Sequence, residues 1–168
     1  AWRARGGWAA SLGPAPRPRH SGCIADAIHE GRCLCRAVRY KVKAMPVVGT
    51  VCHCRFCQTR TGSAFAAMGY FREADVEIRG RLTMYEHRSD ESGRWLRIEF
   101  CPTCGTPVTH TAELRPGLRG IGVGTFDKPG WFRHDRHVWT RSKHDWVEVP
   151  EDVDAFPQGS ANKVQPPP

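Results

Sequence analysis

Polar and hydrophobic residues alternate along several short segments of this chain. Between residues 38 and 43, valine and tyrosine occupy the even positions while arginine and lysine occupy the odd positions. A period of two predicts a strand with one buried face. Further strands are predicted at 46–51, 76–79, 96–100, 106–111, 120–126 and 137–140. Since little room is left between them for long helices, the sequence predicts a mostly β domain.

One segment is predicted to be helical. Residues 54–61 have the spacing of a short helical turn that ends at Gly62. The glycine-rich segment 120–124 is interpreted as a strand rather than a phosphate-binding loop, because isoleucine and valine alternate with the glycines and no helix follows. The predicted architecture is a single compact domain built from antiparallel sheets with one short helical turn.

The domain organisation follows from length and composition. The chain has 168 residues, which is the size of one domain. Residues 1–22 are interpreted as a basic tail, 23–157 as the folded domain and 158–168 as a frayed C-terminal tail. No apolar run approaches the roughly 20 residues that span a bilayer, and no apolar segment of a secretory signal is found near the first residue. We therefore expect a cytoplasmic protein without a membrane partner.

Seven cysteines between residues 33 and 104 fall into three sets. The sets are Cys33 with Cys35, Cys52 with Cys54 and Cys57, and Cys101 with Cys104. Such close spacings are typical of thiolate–metal sites, and a disulfide framework is the less favoured alternative in the absence of a secretory signal. Because soft thiolates select zinc over magnesium or calcium, the sequence predicts two zinc ions per chain.

The first predicted zinc site combines the outer sets. Cys101 and Cys104 form a zinc knuckle, followed by Gly105 where the turn often needs a positive φ. A knuckle supplies two ligands and tetrahedral structural zinc takes four, so Cys33 and Cys35 can complete the site from far upstream. A site that closes so long a loop is predicted to be structural and to contribute folding free energy.

The middle set has one ligand fewer. Cys52 and Cys54 share one side of an extended chain, and one helical turn brings Cys57 round to meet them. Three protein ligands and an open position are typical of catalytic zinc, at which a bound thiol is deprotonated and becomes a nucleophile. Two residues could instead close the site: Cys23, which would make it structural, or His53, whose position between two ligands is awkward.

Charge and the residues after the middle set give weaker signals. The net charge of +8 favours anionic partners without choosing among them. A nucleic-acid-binding arm at residues 1–20 is less favoured than a solvated extension. Arg55, Thr59, Arg60 and Ser63 could bind an anionic substrate or remain solvated.

Histidines and tryptophans after the knuckle are interpreted as structural. His110 lies on a predicted strand and is expected to be a satisfied strand histidine rather than a metal ligand. Further histidines occur with tryptophans that are more typical of a core or pocket wall. They are His134, His137 and His144 with Trp131, Trp139 and Trp146.

A family resemblance is carried by four segments together. They are 31–40, 52–65, 100–107 and 137–146. With them the chain resembles the GFA family, the glutathione-dependent formaldehyde-activating enzymes, a group that includes CENP-V-like proteins. The resemblance covers roughly residues 30–157. One departure is Arg36, which stands where the family usually has glycine, so the local turn can differ there.

The resemblance implies a mostly β fold of the Mss-four-like type with two zinc ions. It places structural zinc at Cys33, Cys35, Cys101 and Cys104, and catalytic zinc at Cys52, Cys54 and Cys57. It also implies a carbon–sulfur lyase similar to S-hydroxymethylglutathione synthase, acting on glutathione or another small thiol and on formaldehyde or a related aldehyde. The alternative hypothesis is a non-catalytic binding module with two structural zinc ions and a basic surface for nucleic acid or protein.

Overall fold

The computed structural model describes residues 28–90 and 92–159. Within them the chain forms eleven strands, one α-helix and four single-turn 3₁₀ helices. The strands are β1 (His29–Arg32), β2 (Arg39–Val42), β3 (Val48–Cys52), β4 (Ala66–Arg72), β5 (Val76–Arg79), β6 (Thr83–Arg88), β7 (Trp95–Phe100), β8 (Pro107–Ala112), β9 (Leu118–Gly122), β10 (Arg136–Val138) and β11 (Asp154–Phe156). The helix α1 spans Arg55–Thr61, and the 3₁₀ helices span Glu73–Asp75, Val123–Thr125, Pro129–Trp131 and Thr140–Ser142. The mostly β prediction is confirmed.

The strands form two sheets. The smaller has the order β1-β2-β5, and the larger has the order β11-β10-β3-β4-β9-β8-β7-β6. Neighbouring strands pair antiparallel, as predicted, except at β10, which runs parallel to both β3 and β11. Parallel neighbours need a connection of about a dozen residues or more, and the segment 139–153 supplies it between β10 and β11.

Two hydrophobic cores lie on opposite faces of the larger sheet. The first contains Phe71 of β4 with Tyr40 and Val42 of the smaller sheet. The second contains Met68 and Tyr70, also of β4. Because side chains alternate across a strand, Met68 and Tyr70 face the side opposite to Phe71. The middle of the larger sheet is therefore covered on both faces.

Most predicted elements are present, with differences at their ends. Five predicted strands overlap β2, β3, β5, β7 and β8, and α1 ends at Gly62, which has a φ of 61°. The strand predicted at 120–126 ends at Gly122, and the strand predicted at 137–140 ends at Val138; short helical turns follow both.

Four strands have no clear signal in the sequence. β4 lacks alternation because it is buried on both faces, and β6 lacks it because most of its side chains are exposed. β1 and β11 have only four and three residues. A pattern with a period of two needs one buried and one solvated face over several residues, and none of these strands offers it.

Trp146 does not have the core position expected for it. Its side chain is 73% exposed and stacks on His144 at the surface. Trp131 and Trp139 do pack against the first and the second core, as predicted.

The limits of the domain stay a prediction. Residues 1–27, which include the predicted basic tail and Cys23, lie outside the described residues, as do 160–168. Among the described segments, none of the helices combines the length and apolar character needed to cross a membrane.

Candidate metal centres

Four cysteine sulfurs meet at the first core and form what we call the four-cysteine cluster: Cys33, Cys35, Cys101 and Cys104. The sulfurs all lie within 4.8 Å of one another. The Sγ atoms of Cys33 and Cys35 are 3.5 Å apart, and those of Cys35 and Cys101 are 3.7 Å apart. Tetrahedral zinc with bonds of about 2.3 Å would separate its sulfurs by roughly 3.8 Å. The predicted grouping is present, and its geometry fits a four-coordinate ion.

Each half of the four-cysteine cluster has one residue in the left-handed conformation. Gly105 has a φ of 71°, as expected for the knuckle, and its amide donates to the Cys101 carbonyl at 2.9 Å. Arg36 has a φ of 67°, and its amide donates to the Cys33 carbonyl at 3.1 Å. The arginine thus adopts a conformation that costs a residue with a Cβ about 1–2 kcal/mol.

Polar groups favour the thiolate form of two of these sulfurs, those of Cys33 and Cys104. The Val38 amide donates to Cys33 Sγ at 3.2 Å, and the Thr106 hydroxyl lies 3.1 Å from Cys104 Sγ. The Thr106 hydroxyl, followed by the backbone amides of Cys35 and Thr106, lowers the pKa of Cys104 to about 5. Since the thiolate is the form that binds metal, the surroundings suit metal ligation.

Local structure alone assembles the three-cysteine cluster of Cys52, Cys54 and Cys57. Cys52 is the last residue of β3, Cys54 is the N-cap of α1 and Cys57 lies in its first turn. Cys54 Sγ accepts a hydrogen bond from the Cys57 amide at 3.4 Å and lies 3.5 Å from Cys52 Sγ. All three sulfurs lie within 4.8 Å of one another. This predicted group is also present.

The three thiols of the three-cysteine cluster differ in pKa. Hydrogen bonds from the Cys52 and Cys57 thiols, and then from backbone amides, lower the pKa of Cys54 to about 3. Donation to Cys54 raises the pKa of Cys52 well above its usual range. The charge therefore rests on Cys54, the residue that the helix amide also supports.

No fourth Cys, His, Asp or Glu among the described residues joins the three-cysteine cluster. His53 is fully buried and lies on the other side of the chain from its neighbours, with its Nε2 2.8 Å from Nδ1 of His137. It therefore does not close the site. The other proposed ligand, Cys23, lies outside the described residues.

Two polar residues fix the junction between β3 and α1. Gln58 is buried and donates from its amide nitrogen to the carbonyls of His53 and Ser142, at 2.8 and 2.9 Å. The Ser142 hydroxyl donates to the same His53 carbonyl at 3.1 Å. These hydrogen bonds connect Ser142, in the segment after β10, to His53, which lies between Cys52 and Cys54. Sequence reasoning did not identify Gln58, which has no distinctive motif of its own.

Tyr70 and His110 form a buried polar pair in the second core. His110 Nε2 lies 3.2 Å from the Tyr70 hydroxyl, so His110 is the satisfied strand histidine that was predicted. Its ring occupies the space over Gly120 of β9, where a Cβ would lie only 2.1 Å from His110 Cε1. Burial raises the pKa of Tyr70 to about 12 and lowers that of His110 to about 3, so both are neutral at physiological pH.

Arginine side chains also reach this core. Arg60 Nη2 lies 3.5 Å from the sulfur of Met68, and the Arg115 guanidinium lies over the Tyr70 ring at 4.3 Å from its centroid. Sequence reasoning singled out Arg60 but not Arg115 or Tyr70, because a lone arginine in a turn and a tyrosine in an apolar run carry no signal.

The other residues proposed beside the three-cysteine cluster point away from the core. Arg55, Thr59 and Ser63 are all exposed, and Arg55 donates to the side chain of Gln58. A separate cavity of about 560 Å³ lies along β6 to β9 and the turn before β9. None of the cysteines lines it, so it lies apart from both clusters.

A mostly β domain with one four-cysteine and one three-cysteine cluster, each able to hold a metal ion, is the class of protein that the fold and the sites define. The family model named glutathione-dependent formaldehyde-activating enzyme, GFA, matches residues 28–142, which is more than half of the chain. This chain belongs to the GFA family.

Two other comparisons add little to the family assignment. No curated protein matches the chain. The crystal structure of a Rhodobacter sphaeroides protein is similar, with 23% sequence identity and a TM-score of 0.47, and the match covers 76% of this chain and 98% of that chain. The assignment therefore depends on the family match.

Proposed function

We propose that this protein is a zinc-dependent carbon–sulfur lyase that acts on a small thiol and a small aldehyde, as an S-hydroxymethylglutathione synthase does. One observation carries the proposal: three sulfurs converge at Cys52, Cys54 and Cys57 without a fourth protein ligand among the described residues. The family's name supports glutathione as the thiol and formaldehyde as the aldehyde.

The residues of both clusters suit zinc. Thiolates are soft ligands, and the sulfur separations of 3.5 to 3.7 Å agree with tetrahedral coordination. In this proposal the four-cysteine cluster holds a structural ion and the three-cysteine cluster holds a catalytic one. When bound there, zinc supplies the positive charge that lowers the pKa of a substrate thiol.

The proposed reaction adds the thiol across the carbonyl group of the aldehyde. The thiolate sulfur attacks the carbonyl carbon, a carbon–sulfur bond forms, and the π electrons move to oxygen. The oxygen then takes up a proton, which balances the proton lost by the thiol. The reverse reaction breaks the carbon–sulfur bond and returns both reactants, so no oxidant or reductant is needed.

The chain itself contributes orientation. Cys54 is held at the start of α1 by the Cys57 amide, and Gln58 and Ser142 fix the backbone of His53 between the first two sulfurs. A rigid frame holds the thiol in one position relative to the aldehyde and so reduces the entropic part of the barrier.

X-ray absorption at the zinc edge tests the metal sites on protein purified without chelator. We expect two zinc ions per chain, and an added sulfur ligand on addition of glutathione. A second measurement, exchange NMR with ¹³C-formaldehyde and glutathione, should detect catalysed formation and breakdown of the adduct. The matched variant Cys23→Ser should change neither result. If Cys23→Ser instead removes a sulfur ligand, the site is closed and the binding-module hypothesis replaces the enzyme.

A further inference from the structure

Two arginines of the second core place cationic nitrogen atoms where water does not reach. Nε of Arg60 and Nη1 of Arg115 are buried and have no hydrogen-bond partner. Among the described residues, no ion pair includes either side chain. Both side chains are half-buried. A guanidinium nitrogen that loses its hydration without meeting an acceptor is costly, so these two nitrogens are suited to receive an anion.

The two side chains approach the same face of β4 from different elements. Arg60 lies one helical turn after Cys57 on α1, so both residues share one side of the helix. Its guanidinium contacts Met68, whose thioether is only a weak acceptor. Arg115 comes from the turn between β8 and β9 and stacks on Tyr70.

The register of the sheet places these contacts in line with the sulfurs. Cys52 is paired with Ala66, the first residue of β4. Ala66, Met68 and Tyr70 share one face of the strand at intervals of about 7 Å. The three-cysteine cluster, the Arg60 contact and the Arg115 contact therefore follow one another along this face. A molecule whose sulfur lies at the cysteines would carry its negative charge about 7 Å or more away.

Glu73, Glu99 and Glu113 line the cavity that Arg115 also borders, but no ion pair among the described residues joins a carboxylate to either arginine. Tyr70 and His110 are neutral, and neither offers a carboxylate. The far edge of the sheet bends toward α1, because the His87 ring of β6 stacks on Phe56 at 4.0 Å between centroids. Enclosure by the helix and the edge strand lowers the local dielectric constant and strengthens attraction to an anion.

We propose that Arg60 and Arg115 form a carboxylate-binding site that selects thiols bearing a carboxylate several bonds from the sulfur. The proposal rests on the proposed function, since it takes the three-cysteine cluster as the position of the substrate sulfur. The two arginines act as specificity-determining residues. Each donates hydrogen bonds to the carboxylate, and neither takes part in the addition of the thiol to the aldehyde.

A thiol-free ligand tests the arginines separately from the cysteines. S-methylglutathione keeps both carboxylates but has no thiol, and its dimethyl ester lacks the carboxylate charges. By calorimetry on the zinc-loaded protein, we expect the acid to bind at least about tenfold more tightly than the ester. Because this comparison uses only the wild-type protein, misfolding of a variant cannot affect the result.

Variants then assign the preference to residues. Arg60→Gln and Arg115→Gln should each weaken acid binding about tenfold or more and leave ester binding unchanged. Arg60→Lys and Arg115→Lys keep the charge and should restore part of the affinity. The matched control Arg79→Gln removes an exposed arginine that pairs with Glu77 and should change neither affinity.

Two results would overturn the carboxylate site. One is equal binding of acid and ester by the wild-type protein. The other is a pair of Gln variants that lose zinc from the three-cysteine cluster but keep the acid–ester ratio, which would mean that the arginines only balance the charge of the thiolates.

Failure of the proposed function would give a different result. Glutathione would then bind no more tightly than S-methylglutathione, while the preference for acid over ester would persist. The carboxylate site would stand in that case, and the thiol-binding role of the three-cysteine cluster would not.

Discussion

The four-cysteine cluster and the three-cysteine cluster use the same ligand atom but are assembled from the chain in different ways. The first joins two turns that are far apart in the sequence, since Cys101 comes 66 positions after Cys35. The second draws its sulfurs from one junction between β3 and α1. The clusters belong to different cores on opposite faces of the larger sheet.

This difference bears on what a metal ion bound at each cluster would do for the protein. Closing a long loop removes conformational entropy from the unfolded chain, so an ion at the four-cysteine cluster stabilises the fold. An ion at the three-cysteine cluster closes only a short loop that α1 and Gln58 already hold in place. We therefore expect it to contribute less to stability, and no fourth Cys, His, Asp or Glu joins its ligands among the described residues. From this contrast we expect the four-cysteine cluster to stabilise the fold and the three-cysteine cluster to be the reactive site.

Cys101→Ser should have the largest effect, because it breaks the cluster that joins distant segments. Cys101 is fully buried, and structural zinc supplies about 10–16 kcal/mol of apparent binding free energy in small zinc domains. Typical domains have only about 5–15 kcal/mol of stability, so we expect a largely unfolded protein. Circular dichroism with metal analysis measures this. A folded variant that retains one zinc ion would contradict the assigned roles.

Cys54→Ser makes the same atomic change at the three-cysteine cluster and should leave the fold intact. Serine is a favourable N-cap, so α1 keeps its first turn. We expect one zinc ion fewer, a change of less than about 2 kcal/mol in the free energy of unfolding, and a loss of lyase activity of about 100-fold or more. Urea unfolding and formaldehyde exchange NMR give the two readouts. Unfolding as severe as that of Cys101→Ser would remove the distinction between the clusters.

Gly120→Ala tests the packing of His110 against Gly120 in the second core, to which the three-cysteine cluster also belongs. The new methyl group would lie 2.1 Å from His110 Cε1, so the imidazole must move away from Tyr70. Such overpacking costs about 1–3 kcal/mol. The control is Gly124→Ala, where a Cβ meets nothing within 4 Å and stability should change by less than about 0.5 kcal/mol. Equal effects of the two variants would contradict the packing described for His110.

His110 should make the protein less stable as the pH falls. Burial, and then the positive charges of Arg60, Arg115 and Arg119, lower its pKa from 6.5 to about 3, so the unfolded chain binds the proton more readily. The stability from the neutral ring is present above pH 6.5 and is lost as the pH falls toward 3. Between pH 6.5 and 5.5 this amounts to about 1 kcal/mol.

The variant His110→Gln isolates that contribution. Acid also releases zinc from thiolates, but it does so in both proteins, so the difference between their unfolding free energies reports on His110. We expect urea unfolding to show this difference shrinking by about 1 kcal/mol over the same range. A constant difference would mean that His110 can take up a proton without leaving its place.

The sequence predicted the clusters better than the surroundings of the clusters. Cysteine spacing gives the ligand groups directly, since thiolates two or three positions apart converge within a turn. β2 was visible because one of its faces is buried and the other solvated, whereas β4 is buried on both. The approach of Arg60 and Arg115 to one face of β4 comes from tertiary packing, for which no local pattern exists. Chemistry that depends on spacing can be read from sequence, and chemistry that depends on packing cannot.

Arg36→Gly should produce the smallest change, a gain in stability at the four-cysteine cluster. Arg36 occupies the position that corresponds to Gly105 in the other half, and both have a positive φ. Glycine avoids the cost of about 1–2 kcal/mol that a Cβ incurs there, but it also gives the unfolded chain more freedom, so we expect a net gain of about 0.5–1 kcal/mol. The control Arg39→Gly removes the same side chain from β2, where the conformation is extended, and should destabilise the protein by a similar amount. If both variants lose stability in urea unfolding, the left-handed turn at Arg36 carries no strain, and the two halves of the cluster differ more than their matching φ values indicate.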